Sequence, residues 1–225
     1  MTRTIAEDKG YDFGMIGSFK GASFMKLETF RGDFVNDPVY SSFEEKKVME
    51  NGVDIRGYDP EVNFIKDWTV IDGEFQDERY FGHRINDIRN WLDVEPMKID
   101  DEICMIGFRG GEYTAFPDLF LPKSYWGQAI ALKRAQSPNI RFQVHTDDPS
   151  EARKFFPDFE VIHDIGTNWR SFRFTKHAII ANSSFYILPC LINPDVEVIA
   201  PRYWARHNTK TWALPQNYYK SFLYI

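Results

Sequence analysis

The sequence predicts an α/β protein whose C-terminal half carries a parallel sheet, and three observations point there. From Ile103 onward, short apolar runs of strand length alternate with segments of helical spacing. Three of those runs end in a glycine-rich or polar cluster, and ligands of parallel sheets bind at the carboxyl ends of strands. The N-terminal portion lacks that alternation, so the chain divides into halves, residues 1–97 and 98–225, linked through Glu95 to Asp101.

In the first half, Thr2 to Lys9 reads as a short helix stopped by Gly10, a common helix terminator, and Tyr11 to Ile16 as a strand. Residues 17–40 mix Gly, Phe and Asp without a period and are expected to be irregular. The charged patch Glu44 to Lys47 is expected on a solvated helix. Phe81, Ile85, Ile88 and Leu92 recur at helical spacing, which predicts a helix over Asp77 to Leu92. Its acidic first residues would face the positive end of the helix dipole.

In the second half the expected strands are Ile103–Phe108, Ile140–His145, Phe159–Ile162, Ala178–Ala181 and Val196–Ala200. Between them come helices over Tyr125–Ala135, Pro149–Phe156 and Ser184–Ile192, and a helical turn over Asn168–Thr175.

Composition limits the function. The chain has 225 residues, 43% of them hydrophobic and 27% charged, as an ordinary globular protein does. A net charge of -6 argues against a nucleic-acid partner, which needs a basic face. The 20 Phe, 11 Tyr and 6 Trp serve either core packing or stacking on bases and sugars. Cys104 and Cys190 sit in apolar runs and give neither a disulfide framework nor zinc spacing. The five histidines lack ligand spacing, so no metal is expected. With no leader pattern and no apolar run near ~18 residues, a cytoplasmic chain without a transmembrane segment is expected, peripheral membrane association staying open.

Chemistry concentrates in the three clusters. Gly107 to Tyr113 (GFRGGEY) follows a strand; its glycines allow close backbone approach, and Arg109 can grip a phosphate with two N–H groups. A Gly-Gly pair is equally a plain turn. His145 to Pro149 (HTDDP) offers Asp147 and Asp148, either as helix caps or as acceptors for a nucleobase edge or a metal. The turn Asn182-Ser183-Ser184 meets a helix N-terminus, which serves as a phosphate cradle or simply as a cap. Three such clusters at successive strand ends suggest one shared pocket.

The order and spacing of these segments resemble the alpha-1,2-fucosyltransferases of glycosyltransferase family 11, built on the GT-B plan. IGFRGGEYT resembles the family's HxRRGDY segment, FQVHTDD its strand ending in SDD, and KHAIIANSSFYIL its HxIIANSSFSWW segment. GEFQDERYF, Gly73 to Phe81, is similar to GYFQSEKYF, and VIAPRYW, Val198 to Trp204, to the strand, proline and tryptophan that follow. RTIAEDKGYDFG resembles the first helix and second strand, so the likeness covers nearly the whole chain.

The resemblance implies two Rossmann-like halves, the second binding a GDP-sugar and the first, acceptor-side half incomplete. It implies inverting, metal-independent transfer of a sugar, L-fucose by preference, from GDP-fucose or another GDP-sugar to a glycan hydroxyl, with no cofactor. Carried over by position, Arg109 holds the donor phosphates, and Glu112 fills the acidic catalytic slot. Gly107, Asp147, His177, Asn182, Ser183 and Ser184 complete the donor site, with Asp147 reading the guanine edge.

The chain departs from the pattern at Gly107, Gly110 and Glu112, where the family has His, Arg and Asp, and around Trp169 to Phe172, where an acidic residue is replaced. It also lacks the opening strand and the GGLGNQLFQ turn. Those departures make a relative that binds nucleotide-sugar or glycan without transfer the alternative, and a generic α/β protein the third reading.

Overall fold

A computed structural model describes residues 1–14, 20–25, 41–50, 53–203, 205 and 219–225. The chain splits into two compact units, one spanning Met1–Asp93 and the other beginning at Val94.

The first unit opens with helix α1, Thr2–Lys9, closed by Gly10 in the left-handed region at φ 69°. Residues 11–14 form no strand, and the rest of that expected strand, with most of the irregular stretch, lies outside the described residues. Four short strands follow: β1 (Ser41–Glu44), β2 (Lys47–Glu50), β3 (Val53–Arg56) and β4 (Thr69–Asp72). β1 pairs with β4 in parallel, and β2 with β3 as an antiparallel hairpin. Among the described residues, then, the half expected to be Rossmann-like holds a single parallel pair.

Two further expectations fail in this unit. The patch Glu44 to Lys47 is no solvated helix but the end of β1 and the start of β2. Glu45 is 2% exposed, and its Oε2 accepts the N–H groups of Glu74 (2.8 Å) and Phe75 (3.0 Å), with Arg56 at 3.8 Å. A buried carboxylate needs such donors, and the strand pairing of β1 with β4 supplies them.

The helix expected over Asp77 to Leu92 is broken into two 3-10 turns, Glu78–Tyr80 and Gly82–Arg84, before helix α2, Ile85–Trp91. Phe81 leaves the helical region (φ -143°), and its ring and that of Tyr80 both enter the core. The Tyr80 hydroxyl bridges the chain at Gly57 O (3.0 Å) and Asp59 N (2.7 Å). That tertiary bridge overrides helical periodicity.

The second unit follows the expected alternation. Its strands are β5 (Ile103–Phe108), β6 (Arg141–Thr146), β7 (Glu160–Ile162), β8 (His177–Ile180), β9 (Glu197–Ala200) and β10 (Phe222–Tyr224). Helices α3 (Lys123–Gln136), α4 (Pro149–Phe155), α5 (Ile165–Phe174) and α6 (Ser184–Leu191) join them. The six strands form one all-parallel sheet in the order β10-β9-β8-β5-β6-β7. β10 was not expected, since three residues are too few to show a period. α5 is a full helix rather than a turn, capped by Asp164, whose carboxylate accepts the Thr167 N–H at 2.7 Å.

Burial on both faces explains the continuous apolar strands. Ile106, Phe108, Val144, Ile179 and Ile180 are fully buried. Much of the aromatic content is core: the Phe108 ring packs against Phe120, Trp126, Phe155 and Phe156 at centroid distances of 5.0–5.9 Å.

Candidate functional site at the carboxyl edge of the sheet

Strand order decides where this sheet opens. The chain runs outward from β5 through β6 to β7, then returns to the other side of β5 with β8, β9 and β10. The loops after β5 and β8 therefore leave the sheet in opposite directions, and at such a switch point parallel sheets open a crevice between the two loops.

Register sets the side chains at that edge. Gly107 faces His145 and Phe108 faces Thr146 on the neighbouring strand, so Arg109 and Asp147 are the first residues beyond two adjacent strands. Arg109 Nη1 pairs with Asp147 Oδ2, and Nη2 donates to Glu112 Oε1 at 2.8 Å. Asp147 Oδ1 accepts the Gly110 N–H at 2.9 Å. The two glycines are a matter of space: a Cβ on Gly110 would meet Asp148 Cβ at 2.7 Å, and one on Gly111 (φ 42°) would meet Asp147 Oδ2 at 2.6 Å. The loop folds around the aspartates, and larger residues there would push it off.

Arg109 thus faces two carboxylates rather than standing free. Asp148 caps α4 through the Glu151 N–H (3.0 Å), as the plainer sequence reading expects. The cluster brings two carboxylates, Asp147 and Glu112, to one guanidinium. Asp147, with both oxygens engaged, grips the loop and Arg109 instead of offering an open edge to a base.

Across the crevice, Ser183 occupies the N-cap position of α6 (φ -139°, ψ 124°) but makes no side-chain capping bond. It is 6% exposed, and Ser184 beside it is exposed. The first N–H groups of a helix lack intrahelical partners, so the helix start and the Ser183 hydroxyl both offer donors. Asn182 acts differently. Its Nδ2 donates to Leu119 O (3.0 Å) and pins the loop after β5.

Tyr113 connects the two sides. Its hydroxyl donates to Asn182 O at 3.4 Å, and the Arg109 guanidinium lies 5.2 Å from its ring centroid. Along the same edge, a cleft of about 350 Å³ opens between the first turn of α3 and the segment after β9, lined by Pro122, Ser124, Gln128, Pro201, Arg202 and Tyr203.

Two residues expected in the donor site do not reach it. Gly107 lies beneath the Tyr186 ring, where a Cβ would come within 2.7 Å of Cγ. The Tyr186 hydroxyl donates to His145 O (2.9 Å) and approaches Phe108 O (3.2 Å), locking the ends of β5 and β6. Burial, with Asp147 adding, pushes its phenol far up, so it stays a donor. Gly107 therefore serves packing. His177 opens β8 at the amino end of the sheet, paired in register with Cys104 and Glu197, the length of the strand away from Asn182.

Sequence reasoning missed Tyr113 and Tyr186. The missing histidine at Gly107 was the available signal, since a glycine inside a buried strand marks close approach of something large. Trp204, the last residue of the Val198 segment, lies outside the described residues. Among the described residues, no group of three metal-ligating side chains converges, and no helix is long and apolar enough to cross a membrane. No protein family, curated protein or solved structure matches this chain. The likeness to glycosyltransferase family 11 therefore rests on the motifs alone.

Proposed function

We propose that the chain is a glycosyltransferase of the fucosyltransferase type, on the GT-B plan, taking a GDP-sugar at the carboxyl edge of its parallel sheet. One observation carries this reading: strand order reverses between β5 and β8, with Arg109 leaving one strand and Asn182 to Ser184 leaving the other. The α6 start and the buried Ser183 hydroxyl supply donors for phosphate oxygens, and Arg109 supplies a bidentate cation.

In the reaction an acceptor hydroxyl attacks the anomeric carbon while the bond from that carbon to the diphosphate breaks. Negative charge grows on the leaving diphosphate, where preorganised donors count most. Arg109 reaches it by exchanging Asp147 and Glu112 for phosphate oxygens. The acceptor proton passes to a carboxylate; Glu112, 68% exposed and 2.8 Å from Arg109, is the candidate once that exchange frees it.

A second reading is favoured by the excess of carboxylates around Arg109. They repel a diphosphate but suit sugar hydroxyls, so a glycan-binding protein without transfer activity fits that balance.

Thermal melting with nucleotides separates the first reading from the second and from a generic fold. Native-state binding raises the midpoint with ligand excess, so GDP is expected to stabilise the protein while UDP and ATP do not. Turnover of GDP-fucose onto galactose-terminated acceptors then divides transfer from binding. Arg109→Ala is expected to lower that turnover by about 2–4 kcal/mol in activation free energy. Full activity in that variant overturns its role.

A further inference from the structure

The amino edge of the same sheet, at the end opposite the proposed donor site, carries a second group of charged side chains around a cleft of about 550 Å³. Lys133 from α3, His177 from β8 and Glu197 from β9 meet there, with Ser137 and Ser221 on the walls. The Lys133 side chain is only 3% exposed, yet its Nζ has a single bond among the described residues, to Glu197 Oε2 at 2.7 Å. His177 Nδ1 lies 3.2 Å from that same oxygen without making a well-formed hydrogen bond.

The donors outnumber the acceptors. An ammonium has three N–H groups, and burying two of them unsatisfied is unfavourable. Glu197 Oε2 marks where an acceptor oxygen sits, within reach of both Lys133 and His177. The side chain that delivers it is 70% exposed. The last turn of α3 adds roughly half a negative charge nearby, less than the full charge of the buried ammonium. The walls offer hydroxyls, and the volume exceeds what one carboxylate fills.

We infer that this cleft is a binding site for a small oxyanion, a phosphate or carboxylate group carried on a body up to the size of a monosaccharide, which replaces the Glu197 carboxylate on Lys133 and His177. Glu197 holds the position in the empty state and competes with the ligand. The site is independent of the donor-site reading, since none of its side chains reaches the carboxyl edge.

The test follows the His177 imidazole resonances of the full chain by NMR during titration with sodium phosphate and with sodium acetate, against sodium chloride at matched ionic strength. Melting is a poor readout here, because phosphate stabilises many proteins through exclusion from their surface. A saturable His177 shift with phosphate or with acetate is expected, and which salt produces it fixes the class. Glu197→Gln, which removes the competitor, is expected to tighten binding about ten-fold, the scale of one charge-assisted bond released to the ligand. Lys133→Met is expected to abolish the saturable shift. A His177 response no different from that in chloride overturns the site, as does a Glu197→Gln variant that binds no tighter. The second result stands even if Lys133→Met fails to fold.

Discussion

Two segments carry the most specific motifs of this chain, Gly73–Phe81 and Ile179–Phe185, and the fold uses them in opposite ways. In the first, polar groups turn inward and satisfy one another. Glu45 holds the N–H groups of Glu74 and Phe75, Tyr80 bridges Gly57 and Asp59, and Asp77 accepts from the Arg79 backbone and guanidinium. In the second, an N-cap serine keeps its hydroxyl out of the cap, and its helix starts at the switch point between β5 and β8. Motif strength does not separate the two; hydrogen-bond satisfaction does. A segment whose polar groups bond inward is scaffold, whereas one with a donor in reserve is a candidate site.

Four experiments can break or sharpen that contrast. The largest effect belongs to the first segment. Phe75 is 7% exposed and packs edge-on against Tyr80 at 5.3 Å, so Phe75→Ala is expected to lower unfolding free energy by about 3–5 kcal/mol in urea denaturation. A loss below about 1 kcal/mol would mean that the segment is not core.

Acid titration distinguishes the two units next. His145, buried beneath the site and paired with Asn168 (2.9 Å), is held neutral by desolvation, its pKa lowered from 6.5 to about 4. The unfolded chain takes up this proton first, so the contribution is full above pH 6.5 and is lost as pH falls toward 4. Its size is about 3 kcal/mol, at about 1.36 kcal/mol for each pH unit. In the first unit, burial pushes the Asp77 carboxyl up, but the Arg79 side-chain and backbone bonds outweigh it and hold its pKa below 3.8. Its contribution is present above that pH and lost only below it. The second unit should therefore weaken first on acidification, and loss of order in the first unit at about pH 5, seen by amide exchange, would reverse that ranking.

Tyr80→Phe leaves Asp59 N and Gly57 O without their bridge and is expected to cost about 1–3 kcal/mol. The smallest stability effect belongs to the second segment. An N-cap serine normally contributes about 1 kcal/mol, but the Ser183 hydroxyl makes no capping bond, so Ser183→Ala should change stability by less than about 0.5 kcal/mol. The same variant should weaken GDP binding. A full capping loss with unchanged binding would turn Ser183 back into scaffold.

Sequence made the second unit legible because its strands are buried on both faces and a cap such as Asp148 stands in plain view before its helix. It even placed Arg109, Asp147 and Ser183 beyond the carboxyl ends of β5, β6 and β8. What it concealed depends on long-range pairing. Glu45 reads as a surface charge until β1 pairs with β4 and brings Glu74 to it. Tyr80 and Phe81 read as helix until the hydroxyl reaches Gly57. His177 reads as part of the Asn182 motif, yet a strand separates them by its full length, and Gly107 reads as a ligand contact until Tyr186 fills the space above it. Nor could the sequence reveal that Arg109 is held between two carboxylates, since the partner from β6 becomes a neighbour only through the sheet.

Backbone amide NMR of the full chain during titration with GDP tests the central claim most directly. The amides of Arg109, Gly110, Ser183 and Ser184 should move together and saturate, because they border the crevice between β5 and β8. Saturable shifts confined to other parts of the sheet, or none at millimolar GDP, would contradict a nucleotide site at the carboxyl edge.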